Sequence, residues 1–495
     1  MRVERFEGRT LLESKLMAFG DLREFIAAAE ATGDLQLIKG AHWDLEIGCI
    51  TELSAEREGP LLLFDAVPGY PEGFRIVTNF LGTSRRFALA LGLSPDLPKI
   101  EILRAWKEKS RQLEYLPPAE VESGPVMENV IDGDEVNLEL FPAPKWHELD
   151  GGRYIGTADL VVTRDPQSGW VNVGTYRACI QGKNRLSLWI LDHKHGKQIA
   201  RQYWEQGRSC PVAIVLGCEP ATWMAGPSAV KAGASEYDYA GGLRGAPVEV
   251  IKPPLTGLPV PAFAEIVLEG EIPPLEEESV LEGPFGEWPG YYTHIGRECV
   301  VRVKRIMHRH QPILLGNPPL LPITERYGIP LFAARVWEHL ESAGISDIQG
   351  VWGHCHTLMI VISLKQKYPG HAVQALTATA GLQAGASMYR YIIAVDDDID
   401  PSDLKQVLWA MTTRVDPSES VQILRSWTSD LDPRVPPEKR EKGDYTSGRI
   451  LVDACRPFTW RDQFAAPNRF SAAKRKQISE KWSAVLKKKQ PGSGT

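Results

Sequence analysis

The chain has 495 residues, 43 % hydrophobic and 24 % charged, with 56 Lys and Arg against 63 Asp and Glu for a net charge of −7. That composition fits a soluble globular protein of about three domains, and the negative balance argues against a nucleic-acid partner. A charged start without an apolar segment, apolar runs too short to span a bilayer, and 7 cysteines without a C-x-x-C pair argue against a signal peptide, a membrane span, a disulfide framework or a zinc ribbon; the expectation is a cytoplasmic protein.

The first predicted element is a helix capped by Asp21, with Leu22, Phe25, Ile26 and Ala29 on one face and Gly33 as its stop. Strands follow at 35–39 and 60–66, a loop at 69–73 and a helix at 97–111, an α/β pattern. From 117 to about 320, short runs rich in Val, Ile and Thr alternate with Gly and Pro clusters, which predicts a barrel or sandwich. Runs at 160–164 and 170–180 flank the turn at 165–169 as a hairpin, 247–251 and 264–269 add strands, and one helix interrupts near 198–206. From about 325, helix–strand alternation returns. A helix begins at Pro330 and stops at Gly344, followed by a strand at 357–364, a helix at 370–380, a strand at 391–395 and a helix at 402–414. A last helix at 470–487 places Ile478, Trp482 and Val485 on one face among lysines, and the tail 490–495 is expected to be disordered.

Three constellations could carry chemistry. Asn172, His195 and Glu236 offer an amide, an imidazole and a carboxylate, a donor set suited to Mn²⁺, with Mg²⁺ possible and room left for water and a phosphate. Arg177 would add fixed positive charge toward a phosphate or a substrate carboxylate. The bland alternative is that a lone histidine is structural or solvated. Asn172 and Arg177 are an odd number apart, so a regular strand would point them to opposite faces; Gly174 offers a bulge or bend that could bring them together. The second constellation is Glu282-Gly-Pro-Phe-Gly-Glu287, two carboxylates on a rigid loop. With Arg177 beside them, one acid would stay ionised while burial raised the other toward neutrality, an acid–base pair. A solvated acidic loop is the alternative. The third is the run Asp396-Asp-Asp-Ile-Asp400 after the strand at 391–395, read as a cap for the helix near Ser402 rather than a metal site. The basic run Lys474, Arg475, Lys476 with 487–489 reads as a solvated helix face. No Walker A, G-x-S-x-G or H-E-x-x-H motif is present, and Gly241-Gly-Leu-Arg-Gly245 has the wrong spacing for a dinucleotide fingerprint.

Asn172-Val-Gly-Thr-Tyr-Arg177, His195, Ser235-Glu-Tyr237, Glu282-Gly-Pro-Phe-Gly-Glu287, Tyr368-Pro-Gly-His-Ala372 and Val395-Asp-Asp-Asp-Ile-Asp400, in this order over nearly the whole chain, resemble the UbiD decarboxylase family. The resemblance implies reversible, non-oxidative decarboxylation of an aromatic, heteroaromatic or α,β-unsaturated carboxylic acid with prenylated FMN. It implies Mn²⁺ (or Mg²⁺) on Asn172, His195 and Glu236, and K⁺ nearby. It places the cofactor against Asn172, Val173, Gly174, Thr175, Tyr176, Arg177, Lys194 and His195, with Arg390 toward its phosphate, and makes Glu282, Arg177 and Glu287 the catalytic network, Glu287 the proton donor. The implied fold is mixed α+β and α/β: an N-terminal α/β segment (1–115), a split β-barrel cofactor domain (116–322), a C-terminal α/β oligomerisation domain (323–468), and a terminal helix and tail (469–495). It also implies a homodimer or homohexamer and cofactor supply by a UbiX-type flavin prenyltransferase. Substrate-pocket residues are expected from 289–294, 317–322 and 440–449. Competing readings are an FMN-dependent split-barrel oxidoreductase, which leaves the 282–287 loop without a role, a non-catalytic scaffold relative, and a metal-dependent hydrolase using Glu287 as base.

Overall fold

The computed structural model describes residues 19–228, 230, 233–321, 328–382 and 388–486. The N-terminal sequence, Pro322, the lysines at 487–489 and the tail named above lie outside the described residues.

An apolar stripe drives each of the first elements onto a common core. Asp21 caps the helix Leu22–Ala31 by accepting the Glu24 N–H, and Leu22, Phe25, Ile26 and Ala29 are buried, as the periodicity predicts. The strands Leu35–Lys39, Leu61–Asp65 and Arg75–Thr78 form a sheet that is completed by Ile313–Leu315, a strand from far along the chain. Arg23 ties this layer to the next: its guanidinium donates twice, at 2.8 Å, to the carboxylate of Glu265, which is 0 % exposed.

The central unit is a sheet of 10 strands that curls on itself. Its path runs Tyr154–Gly156, Ala178–Gly182, Arg185–Leu188, Gly296–His308, Ile266–Ile272, Cys210–Leu216, Asp159–Arg164 and Val171–Gly174, with Ser279–Glu282 and Asn129–Asp132 also paired to the long strand Gly296–His308. The two ends of this path, Tyr154–Gly156 and Val171–Gly174, share no ladder among the described residues. They are the edges of an open seam, and the chain steps across it twice, through 157–158 and through 175–177. The predicted hairpin around 165–169 forms, but its second strand ends at Gly174. Residues 178–180 belong to the opposite edge, where Ala178–Gly182 pairs with Arg185–Leu188. There is thus no regular strand from Asn172 to Arg177; the chain leaves one edge and joins the other between them.

The C-terminal layer is a sheet in the order Ile348–His354, Met359–Leu364, Tyr391–Asp396, Thr446–Ala454, Val421–Trp427, flanked by the helices Leu331–Ser342, His371–Gly381 and Leu404–Arg414. The acidic run does not cap the last of these. Asp403 does so, accepting the Lys405 and Gln406 N–H groups. Asp396 and Asp398 instead grip Arg414, and Asp396 also takes Arg456, so the buried Asp396 carboxylate is paired rather than left without a partner. The terminal helix is broken at Trp482 into Ala472–Lys481 and Ser483–Leu486, with Ile478, Trp482 and Val485 exposed.

Candidate active site

The seam opens into a cavity of about 220 Å³. Both chain crossings line it: Thr157, Ala158 and Asp159 from the first, Thr175, Tyr176 and Arg177 from the second. Trp189, Leu191, Lys194, Trp223, Pro227, Phe285, Glu287 and Pro319 close the walls. Tyr176, Trp189, Trp223 and Phe285 with two prolines supply flat faces suited to planar conjugated rings, among polar and charged groups.

At one wall Arg177 joins the two acids of the 282–287 loop. Its Nε donates to Glu282 Oε1 at 2.9 Å and Nη2 to Glu282 Oε2 at 2.6 Å, a bidentate fork, while Nη1 donates to Glu287 Oε1 at 2.9 Å. The guanidinium lies 4.4 Å from the ring centroid of Trp189 and 5.0 Å from that of Phe285. Burial works against its charge, but Glu282 and Glu287 together raise its pKa, so the cation is locked in place. Tyr154 donates to Glu282 Oε1 at 2.6 Å. Burial and the Glu282 charge push the Tyr154 phenol well above its ordinary value, keeping it a donor. Glu282 is 2 % exposed and faces Arg177 and Tyr154; Glu287 faces the cavity.

The metal candidates come from three elements, and none of the three lines the cavity. Asn172 sits in Val171–Gly174 at 2 % exposure, and its amide nitrogen has no hydrogen-bond partner. Glu236, the first residue of the helix Glu236–Arg244, accepts the N–H of the adjacent Val173 at 2.7 Å. Burial pushes its carboxyl up to about 7. His195 opens the helix His195–Trp204 and stands edge-on to Trp170, with ring centroids 5.1 Å apart. The next residue, Gly196, donates its N–H to the Tyr176 hydroxyl at 3.3 Å, which ties that helix start to the second seam crossing. The buried Glu236 carboxylate, without a cationic partner among the described residues, is the environment a divalent cation would relieve, and the Asn172 amide oxygen is a second hard donor that suits the expected ion; the free amide nitrogen is a donor that calls for an acceptor. Among the described residues no group of three or more His, Cys, Asp or Glu side chains could hold a metal; the trio contains only two residues of those types.

Of the other expected cofactor contacts, Thr175, Tyr176, Arg177 and Lys194 line the cavity, while Val173 and Gly174 form the strand behind it. Arg390 does not line the cavity; its guanidinium pairs with the buried carboxylate of Asp432 in the C-terminal layer. Pro319 is in the wall as expected, but Arg440 donates to the carbonyls of Asp430, Asp432 and Val435, and Arg449 to those of Tyr389 and Ala380. Tyr154, Trp189, His147 and Asp150 were not singled out in the sequence. The only local mark of the last two is Gly151-Gly152, whose missing side chains signal close backbone approach.

A cation fixed between two acids at the wall of a ring-lined chamber, with the chain itself bridging the seam, defines an enzyme site. Most of the chain matches family models of 3-octaprenyl-4-hydroxybenzoate carboxy-lyase in order: the N-terminal domain over residues 26–106, the Rift-related domain over 119–320 and the C-terminal domain over 327–454. The phenolic acid decarboxylase of Bacillus subtilis (strain 168) is 33 % identical over 412 residues, covering 80 % of this chain and 85 % of that protein. The vanillic acid decarboxylase of Sedimentibacter hydroxybenzoicus in its open form superposes with a TM-score of 0.82 at 29 % identity, covering 95 % of this chain and 100 % of that one. The UbiD-class enzyme HmfF from Pelotomaculum thermopropionicum in complex with FMN gives a TM-score of 0.81 at 27 % identity over 93 % of this chain and 99 % of that one. Its evolved dimeric form in complex with prenylated FMN gives 0.77 at 26 % identity over 92 % and 99 %. The chain belongs to the UbiD family and is a decarboxylase of that class.

Proposed function

We propose that the chain removes CO2 from an aromatic carboxylic acid of the phenolic type, with prenylated FMN seated in the seam chamber. The observation that carries this reading is the buried Glu282–Arg177–Glu287 network at the wall of a flat-sided cavity. The phenolic and vanillic acid decarboxylases among the relatives support the substrate class, and the FMN and prenylated FMN complexes of HmfF support the cofactor.

The second crossing, Trp189 and Lys194, which line the chamber, would hold the flavin; Asn172, His195 and Glu236 would take Mn²⁺ or Mg²⁺, with K⁺ nearby. The chemistry a bound prenylated FMN supplies is an electron sink for the carbon that loses CO2. The chain's own residues do the rest. The aromatic walls exclude water and orient the substrate ring. Arg177, pinned by Glu282, would hold fixed positive charge at the wall and orient the substrate carboxylate against it. Glu287, held by Nη1 of the same arginine, carries the proton delivered to the carbon after CO2 departs. Microscopic reversibility permits carboxylation when CO2 is abundant.

The same reading takes the cofactor from a UbiX-type prenyltransferase, places the protein in the cytoplasm as a homodimer or homohexamer, and keeps the domain limits 1–115, 116–322, 323–468 and 469–495. Among the described residues, no helix is long and apolar enough to cross a membrane. The test is co-expression with a flavin prenyltransferase and CO2 release from a panel of phenolic, heteroaromatic and acrylic acids. Release from phenolic acids is the expected result; cofactor-loaded protein that releases CO2 from none of the panel overturns the proposal.

A further inference from the structure

We propose that His147 is a positioning residue for the acid loop, clamping it to the chamber wall as an imidazolium held between Asp150 and the Pro319 carbonyl; this deepens, and rests on, the decarboxylase reading above. Segment 147–151 grips the loop that carries Glu282 and Glu287. Asp150, 4 % exposed, accepts the Gly286 N–H on Oδ1 at 2.9 Å and the His147 N–H on Oδ2 at 3.0 Å. Gly151 donates its N–H to the Pro284 carbonyl at 2.8 Å. A Cβ at Gly151 would fall 2.2 Å from the Gly283 oxygen, so only glycine lets the two backbones meet. Gly286 rests directly on the His147 ring: a Cβ there would lie 2.7 Å from Nδ1.

The contacts of the two ring nitrogens favour the doubly protonated ring. Nδ1 is 3.2 Å from Asp150 Oδ2, and Nε2 is 2.9 Å from the Pro319 oxygen. A carboxylate and a carbonyl only accept, so a neutral imidazole would set one nitrogen lone pair against an oxygen lone pair. Both contacts form when both nitrogens carry protons. The charged groups facing the ring are Asp150 and, from the helix Glu46–Ala55, Glu52; both favour the cation. The rings of Phe285 and Tyr292 stand edge-on at 6.2 and 6.3 Å and add no charge. Burial opposes the charged ring, but Asp150, Pro319 and Glu52 outweigh it, and the His147 pKa is raised.

Pro319 and Glu287 both line the chamber, so the clamp joins two of its walls and fixes the distance between the proton donor's loop and the substrate wall. With a raised folded-state pKa, the clamp is fully present below the ordinary histidine value of about 6.5 and is lost as pH rises through the higher folded value. The kcat of decarboxylation therefore falls on the alkaline side along the His147 titration, while KM stays nearly constant.

The experiment labels the histidines of the whole, cofactor-loaded protein with ¹⁵N and follows both ring nitrogens of His147, assigned by its absence in His147→Phe, alongside the pH profile of kcat. The expected result is two protonated nitrogens at about pH 6 and a deprotonation above the ordinary value. His147→Phe keeps a ring under Gly286; it should lower kcat about tenfold at neutral pH with little change in KM, and remove the alkaline limb. Asp150→Asn keeps an oxygen for the Gly286 N–H and should move the limb to lower pH, an arm that survives even if the phenylalanine variant fails to fold. A single protonated ring nitrogen in acid, an unchanged kcat in His147→Phe, or an unmoved limb in Asp150→Asn overturns the clamp. The nitrogen titration needs no turnover, so absence of CO2 release by the wild type sinks the decarboxylase reading and leaves the protonation of His147 to be judged separately.

Discussion

Arg177 does with one side chain what two separate lysines could not: its fork fills both oxygens of Glu282 and still reaches Glu287. Arg177→Lys retains the charge and loses that geometry. Its kcat/KM for decarboxylation should fall about 100-fold or more, measured as CO2 release under matched cofactor loading. Glu236 presents the converse situation, a buried carboxylate that takes one backbone N–H and has no cationic partner in hydrogen-bond reach among the described residues. On the metal reading proposed above, Mn²⁺ added to chelator-treated protein at about 100 times its Kd should stabilise the fold by about 2.7 kcal/mol, read as a rise in Tm. Glu236→Gln should abolish the rise. A Tm indifferent to Mn²⁺ would remove the metal from the reading.

At the level of elements, the helix Lys99–Arg111 buries Ile102, Leu103 and Trp106 but also carries Lys109, whose ammonium has no hydrogen-bond partner. Burial lowers its pKa from 10.5 to about 8. A depressed lysine destabilises the fold while it is charged, and the penalty fades as pH rises from about 8 to 10.5. Lys109→Met should therefore raise Tm, with the gain largest below pH 8 and shrinking toward 10.5, as scanning calorimetry across that range would show. This helix is also one that periodicity finds within two residues, because a single apolar stripe decides it. The run 170–180 shows where such reading stops. Gly174 marks a bend, but nothing local tells that 175–177 leave one edge of the sheet for the other. Which edge a strand joins depends on partners far away in sequence. The strands Val421–Trp427 and Thr446–Ala454 were missed for a related reason: a half-exposed edge strand such as Val421–Trp427 lacks clean alternation. Arg177 and both loop acids were legible from residue type and resemblance, and the fold brings them together. His147 and Asp150 were not, since their meaning lies in the backbone of a loop well over 100 positions downstream.

At the level of the whole molecule, the N-terminal layer is held to the central sheet through a buried acid. Glu265 receives the Arg23 fork, a contact from Arg309 and the Ile313 N–H. Arg23→Ala leaves that carboxylate short of donors and should cost about 1–3 kcal/mol in denaturant unfolding, with the N-terminal helix undocking first. Undiminished stability would mean that Arg309 alone satisfies Glu265.

The seam has a consequence for how such a chamber can change. Its breadth is gauged by main chain, because 157–158 and 175–177 are taut tethers strung between two sheet margins. An extra residue in either tether would slacken the barrel before it enlarged the room. New substrates must then be accommodated by side chains facing the room, such as Phe285 and Pro319, rather than by the main chain that sets its width.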